Sequence, residues 1–235
     1  MPGARVERAA NRLIDRLPGA DRDRILQETM IVELPFGSTL CEAGEMLDHV
    51  YFPLSGFISL IAALSPREAL EAGLVGNEGM LGGSLAWGIG VSPVRGVVWG
   101  EGSALRMTAV QMRRALCDSP ALQRVLNQYL CVRMAQLLRT SLCTHYHEIS
   151  PRLARCLLMT QDRANADEFR LTHELLASML GVRRSGVTVA AGALQRSKLI
   201  RYARGRIRIL DRNGLAAMSC ACYAGLLDDY SALLA

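Results

Sequence analysis

Residues 171–210 read LTHELLASMLGVRRSGVTVAAGALQRSKLIRYARGRIRIL, and this stretch decides how the whole chain is read. Thr172 is a natural N-cap, and Leu175, Leu176, Met179 and Leu180 fall on one face of a two-turn helix. Gly181 supplies a turn residue and Val182 fills the corner. The spacing predicts a second helix from Arg183 or Arg184 to Ser197, with Val187, Ala190, Ala191 and Leu194 turned inward. That leaves Arg183, Arg184, Ser185 and Thr188 on its outer, N-terminal side. Two helices joined by a short glycine-containing turn, the second opening with bases and hydroxyls, form a helix-turn-helix. Leu199–Ala203 and Arg206–Leu210, separated by Arg204-Gly205, then read as a β-hairpin, a basic wing beside the second helix. Arginine bonds two acceptors on guanine in the major groove, and small or hydroxyl side chains allow close approach. Wing residues Arg204 and Arg206 suit phosphates, which position a protein without reading sequence. His173, in the first turn of the first helix, can donate to a phosphate when protonated.

Charge supports the same reading. Residues 170–212 hold Arg170, Arg183, Arg184, Arg196, Lys198, Arg201, Arg204, Arg206, Arg208 and Arg212 against only Glu174 and Asp211, a net of +8. Residues 1–169 carry a net of −1, and the last 23 residues carry no base. A solvated basic face is the bland alternative. Turn glycine, outward bases and basic hairpin occur in order, which favours a polyanionic partner.

The 235 residues are 50% hydrophobic and 21% charged, enough for two ordinary domains of roughly 100–200 residues. Disorder as the general state is excluded. No apolar run approaches the roughly 18–20 residues that span a bilayer, so no membrane partner is expected. The start, MPGARVERAANRLIDRL, has charges at helical spacing and no continuous apolar core, unlike a secretory signal. A cytoplasmic location is expected. Seven cysteines (Cys41, Cys117, Cys131, Cys143, Cys156, Cys220 and Cys222) are an odd, scattered set that suits reduced thiols. Cys220-Ala-Cys222 is the one close pair, with no second pair or histidine at zinc-finger spacing, so no metal and no cofactor are expected. An iron–sulfur cluster would want three or four clustered thiolates.

Upstream, Val6, Ala9, Ala10, Leu13, Ile14 and Leu17 predict an amphipathic helix over 4–17, stopped by Pro18-Gly19, and Asp21 is placed to cap a second helix running to about Met30. From Ile31 to about Arg106, short apolar runs such as HVYFPL, GFISLIAAL and RGVVW alternate with glycine-rich breaks. That texture predicts a β-roll or sandwich of six to eight strands. Helix returns at Ala109–Cys117. Residues 118–146 then give one long helix, capped by Asp118 or Ser119, with Pro120 in its first turn. Leu122, Leu126, Tyr129, Leu130, Met134, Leu137, Leu138 and Leu142 approximate a heptad-like seam on it, read as a dimer interface. Pro151 is expected to break the chain before a helix over Arg152–Asp162. The tail from Asp211 to about Leu227 is expected to be helical and to pack on the preceding domain.

In order, the glycine-punctuated roll, the long helix and the THELLASMLGVRRSGVT element with its RYARGRIRIL wing resemble the Crp/Fnr superfamily of bacterial transcription regulators. The LARCLLM and MLGVRRSGVTVAAGALQ segments are the most specific part. GSTLCEAGEMLDHVYFPLSGFISL and VGNEGMLGGSL match the roll less closely but in the right order. The resemblance implies an α+β chain: a cyclic-nucleotide-binding-like sensor domain over 1–117 (roll about 31–107), a dimerisation helix over 118–146 and a winged helix-turn-helix over 147–235. It further implies a homodimer on palindromic double-stranded DNA, with RNA polymerase as the added partner of an activator. By resemblance, Arg184 falls at the family's main base-reading arginine. Ser185 stands where many members have glutamate, and Val189 stands where the cyclic-AMP receptor has a second base-reading arginine, so the half-site preference is not transferable.

Cyclic-nucleotide members of the family carry Gly-Glu-Leu-Gly followed by Arg-Ser or Arg-Thr. Here the effector pocket would be Gly79, Met80, Leu81 and Gly82 with Arg95. Met80 cannot accept the ribose hydrogen bond, and Gly96 follows the arginine in place of a hydroxyl. Each lost contact costs roughly 1–3 kcal/mol, so a different effector, or none, is expected. Cys41 has no neighbouring cysteines for a sensing cluster. His49 precedes an apolar strand and reads as an ordinary loop or core residue. His145 and His147, two apart, would face away from each other on one helix. No enzyme is expected: the roll lacks clustered metal ligands, GNEGMLGGS lacks the Lys-Ser/Thr of a P-loop, and no Gly-x-Ser-x-Gly is present. The alternative to a sensor is a ligand-independent DNA-binding or interaction module controlled by abundance.

Overall fold

The computed structural model describes residues 11–65, 68–164 and 166–233, so the first part of the helix expected over 4–17 lies outside the described residues. Helix α1 (Arg12–Asp15) is capped by Asn11, whose side chain accepts from the Leu13 N–H and donates to the Pro53 and Gly79 carbonyls at 3.0 and 2.9 Å. Pro18 is itself the cap of α2 (Gly19–Glu28), and Asp21, expected in that role, sits in the first turn. A proline is tolerated there because no intrahelical bond needs its missing N–H.

Seven strands follow among the described residues: β1 (Met30–Leu34), β2 (Thr39–Cys41), β3 (His49–Pro53), β4 (Phe57–Ser65), β5 (Glu68–Val75), β6 (Arg95–Gly100) and β7 (Gly102–Thr108). They form two antiparallel sheets, ordered β1-β7-β3 and β2-β6-β4-β5. Strand β3 explains why HVYFP reads as an unbroken apolar run. Val50 and Phe52 are buried against the helices, whereas Tyr51 joins Leu34, Ile58 and Val98 between the sheets. A strand covered on both faces needs apolar residues at consecutive positions. Three-residue β2 has no period to read, and the sequence did not separate it. Gly82 has φ of 91°, and a Cβ there would stand 2.7 Å from Val50 Cγ1, so both backbone and space require glycine.

Helix α3 (Ala109–Asp118) opens with a capping box between Thr108 and Gln111. The long helix α4 (Pro120–Tyr146) is capped by Ser119, whose Oγ accepts from the Leu122 N–H at 3.0 Å, with Pro120 in the first turn as expected. Leu122, Val125, Leu126, Tyr129 and Val132 fill a core shared with α1, α2, α3 and β3.

Helix α5 (Ile149–Ala164) begins before Pro151. The break expected at that proline falls instead at His147 and Glu148, because proline fits the first turn of a helix without losing a bond. Around α5 are β8 (Glu168–Arg170), α6 (His173–Leu180), α7 (Arg184–Arg196), β9 (Ile200–Ala203), β10 (Arg206–Ile209), α8 (Arg212–Met218) and α9 (Cys222–Leu233). Their core includes Leu153, Leu157, Leu176, Val187, Leu194 and Ile207, and takes in Phe57 and Leu74 from the roll. The tail is two helices rather than one. Helix α9 reaches beyond the preceding domain to α4 and the roll: Arg139 pairs with Asp229 at 2.8 Å, and the Tyr230 hydroxyl donates to Glu78 at 3.3 Å. Glu78 also pairs with Arg163 at 2.9 Å, both side chains buried.

Candidate nucleic-acid interface

Helix α6 starts where the sequence places it, with Thr172 Oγ1 accepting from the Leu175 N–H at 3.1 Å. Gly181 ends it at φ 63°, ψ 40°, and the Gly181 and Val182 N–H groups return to the Ser178 and Ala177 carbonyls at 3.3 and 3.0 Å. This left-handed ending suits glycine and turns the chain sharply into α7. Val187, Ala190, Ala191 and Leu194 are buried, while Arg183, Arg184, Ser185, Thr188 and Val189 are exposed. The first turn of α7 therefore presents bases, a hydroxyl and the positive end of its dipole together.

His173 joins three elements. Its Nδ1 lies 3.0 Å from Thr188 Oγ1 on α7, and its ring stacks on Tyr202 of β9 with centroids 4.3 Å apart. Burial, and then the charge of Arg184, lower its pKa below the ordinary histidine value. The neutral ring is thus favoured, against the expectation of a protonated phosphate donor, and its geometry makes it a brace between α6, α7 and the wing. Tyr202 carried no signal in the sequence beyond its place in a strand.

The wing has three strands, ordered β8-β10-β9, with Arg204 (φ 50°) and Gly205 (φ 77°) in the two-residue turn. Positive φ at both positions is the hairpin geometry that matches strand twist. Arg201 and Arg208 stand directly opposite each other, both exposed. Like charges in that position oppose folding unless a polyanion faces them. The alternation in RYARGRIRIL contains this signal, though the expected contacts were Arg204 and Arg206. Arg206 instead pairs with Glu168 at 3.3 Å, so its charge is partly spent. Arg212 pairs with Asp162 at 2.7 Å and bonds the Tyr223 hydroxyl, and Arg170 lies 4.5 Å over the Phe36 ring of the roll. Among the described residues, Arg183, Arg184, Arg201, Arg204 and Arg208 make no ion pair.

The seam on α4 divides. Leu122, Leu126 and Tyr129 are buried inside their own chain, a correction to their expected place in a dimer interface. Heptad spacing identifies a covered face, but the cover here is the roll. Leu130 is half-buried, whereas Met134, Leu137, Leu138 and Leu142 are exposed, and Tyr146 is 72% exposed. Met80, Leu81 and Gly82 line a mostly apolar cavity of about 210 Å³ between the roll and α4, closed by Tyr129, Leu130, Arg133 and Met134. Gly79 is not in its wall. Arg95 is turned away, paired with Glu42 at 3.2 Å and bonded to Thr39 at 3.1 Å.

Among the described residues no helix is long and apolar enough to cross a membrane. A search of curated proteins finds no match. Residues 151–218 match the Crp-like helix-turn-helix domain. Among solved structures, the chain is similar to a Crp/Fnr-family transcriptional regulator from Eubacterium rectale, with 18% identity, 88% of this chain and 97% of that chain covered, and TM-score 0.65. It is similar to FixK2 from Bradyrhizobium japonicum, with 14% identity, 82% and 98% covered, and TM-score 0.68. It is also similar to TTHA1359, a Crp/Fnr-family regulator from Thermus thermophilus, with 24% identity, 81% and 98% covered, and TM-score 0.67. Sequence match and fold agree: the chain carries a Crp-like helix-turn-helix domain over residues 151–218 and, as a whole, shares the fold of solved Crp/Fnr-family regulators.

Proposed function

We propose that the chain binds a palindromic operator sequence-specifically as a homodimer, and that a signal other than cyclic AMP, received at the β-roll, sets its affinity for DNA. The observation that carries this reading is the exposed first turn of α7, where Arg183, Arg184 and Ser185 stand without ion pairs on a helix held by α6 and braced to the wing. Arg184 is the base reader, and Arg201, Arg204 and Arg208 are the phosphate contacts. The exposed row from Met134 to Leu142 supplies the dimer contact, and two recognition helices then meet half-sites about 34–36 Å apart. RNA polymerase is the further partner if the protein activates.

The cavity between the roll and α4 is poorly suited to cyclic AMP. It is smaller than the roughly 300 Å³ of ordinary ligand sites, and the arginine that would hold a phosphate is engaged with Glu42. Its wall includes Met134 and Leu137, which also belong to the exposed row on α4. A ligand there changes the packing of the same side chains that would meet a second copy, and it shifts the population toward whichever dimer it binds better.

The test is selection of duplexes from a random library by the purified protein, with and without cyclic AMP. An enriched palindrome that is indifferent to the nucleotide is expected. Enrichment only with cyclic AMP contradicts the effector reading, and no enriched sequence contradicts the operator reading. With the selected duplex, Arg184→Ala should lose roughly 1–3 kcal/mol of base discrimination per half-site. Arg204→Ala should weaken all sequences alike and lower the salt slope by about one.

A further inference from the structure

At the C-terminal end of α4, four side chains of metal-binding chemistry meet. Cys143 and His147 are one helical turn apart, Cys220 lies in the link between α8 and α9, and Cys222 opens α9. Their sulfur and nitrogen atoms all lie within 4.8 Å of one another. Cys143 Sγ is 3.5 Å from Cys220 Sγ, and Cys222 Sγ is 3.6 Å from His147 Nδ1. Around a tetrahedral zinc ion, with bonds of about 2.3 Å to sulfur and about 2.0 Å to nitrogen, neighbouring donors stand about 3.5–3.8 Å apart. Both separations are edges of such a tetrahedron. All seven cysteines are free, and the 3.5 Å between Cys143 and Cys220 is far from a disulfide bond.

A second observation points into the same place. Arg155 is only 6% exposed, yet its Nε and Nη1 have no hydrogen-bond partner. Its guanidinium is near enough for its charge to act on Cys143, Cys220 and Cys222. A buried cation with unused donors is costly unless an anion faces it. Three thiolates, one imidazole and one divalent ion carry a net charge of about −1, which a buried guanidinium nearby would complement.

We propose that Cys143, His147, Cys220 and Cys222 bind one zinc ion per chain in a tetrahedral Cys3His site. Thiolate and imidazole donors exclude calcium and magnesium, which take oxygen. Four protein ligands leave no open position, so the site is structural rather than catalytic. The donor atoms lie too close together to surround an iron–sulfur cluster, whose thiolates are held apart by several irons. On binding, each thiol gives its proton to solvent and the ion gives up its water ligands. The ligands come from the last turn of α4 and the residue that caps it, and from the α8–α9 link and the first residue of α9. The ion therefore fastens the long helix to the DNA-binding domain where the chain turns into α5. The sequence hid this site because Cys143 and Cys220 are 77 residues apart and only the fold unites them.

The experiment uses untagged full-length protein. Zinc is measured by elemental analysis, and protein stripped of metal is titrated with cobalt(II) chloride alone. About one zinc ion per chain is expected, with thiolate-to-cobalt charge-transfer bands and the intense visible bands of a tetrahedral centre. The double variant Cys220→Ser, Cys222→Ser should abolish both signals, and Cys117→Ser with Cys131→Ser, at two exposed cysteines, should leave them intact. His147→Ala removes a ligand from outside the buried core and carries the test if the double variant does not fold. It should weaken zinc at least about 100-fold against a chromogenic chelator. Substoichiometric zinc without a cobalt spectrum would overturn the site. So would undiminished affinity in His147→Ala, or a Cys143–Cys220 disulfide in protein that takes up no cobalt.

Discussion

The two halves of α4 carry the same apolar spacing and have opposite fates. Leu122, Val125, Leu126, Tyr129 and Val132 are sealed inside the core of their own chain. Met134, Leu137, Leu138, Leu142 and Tyr146 face outward, with Leu138 67% and Leu142 57% exposed. Periodicity reports which face of a helix is covered and says nothing about which molecule covers it. The first half belongs to the fold, and the second half is the face we propose for assembly, next to the junction with the helix-turn-helix domain.

The largest expected effect breaks the second half. Leu138→Glu with Leu142→Glu removes four leucines per dimer, at about 1.5–3 kcal/mol each, and should raise the dimer dissociation constant more than about 1,000-fold. Sedimentation should show a folded monomer that no longer holds the selected duplex. A variant that stays dimeric would place the interface elsewhere. Leu126→Ala tests the first half: chemical denaturation should show a loss of about 2–5 kcal/mol from the cavity left in the roll core, with the dimer constant unchanged once the protein is folded. A dimerisation defect in that variant would erase the distinction between the halves.

Glu71 sharpens the comparison where the helix passes from one regime to the other, near Thr140 and Arg155. Burial pushes its carboxyl up to about 7, against the Ser59 hydroxyl that donates to it at 2.6 Å. A raised folded pKa means that the folded state holds the proton longer than the unfolded state. Stability from this group is therefore present below about pH 4.5 and lost as pH rises to about 7. Between those limits the wild type should lose on the order of 2–3 kcal/mol relative to Glu71→Gln, read as the difference between their stability–pH curves. Parallel curves would contradict the burial argument. The smallest effect is at the helix start, where Ser119→Ala removes the cap and should cost about 1 kcal/mol in denaturation.

What the sequence made legible was local. Thr172, Gly181 and the inward row Val187, Ala190, Ala191 and Leu194 define the helix-turn-helix within 25 residues, and each lies where its own neighbours require. The strands of the roll were readable because glycine breaks bound them. The misses are contacts between distant segments or elements too short to show a period: β2, β8, the Arg206–Glu168 pair and the Cys143–Cys220 approach. Pro151 misled for a related reason. Its effect depends on whether a helix has already begun, and the sequence alone places that start three residues too late.

The most direct test is the mass of the complex formed with the duplex recovered by selection, measured by sedimentation equilibrium. Two chains bound to one duplex of two half-sites are expected, with the same stoichiometry in the presence and absence of cyclic AMP. One chain per duplex would contradict this, because the exposed half of α4 would then have no second copy to cover it.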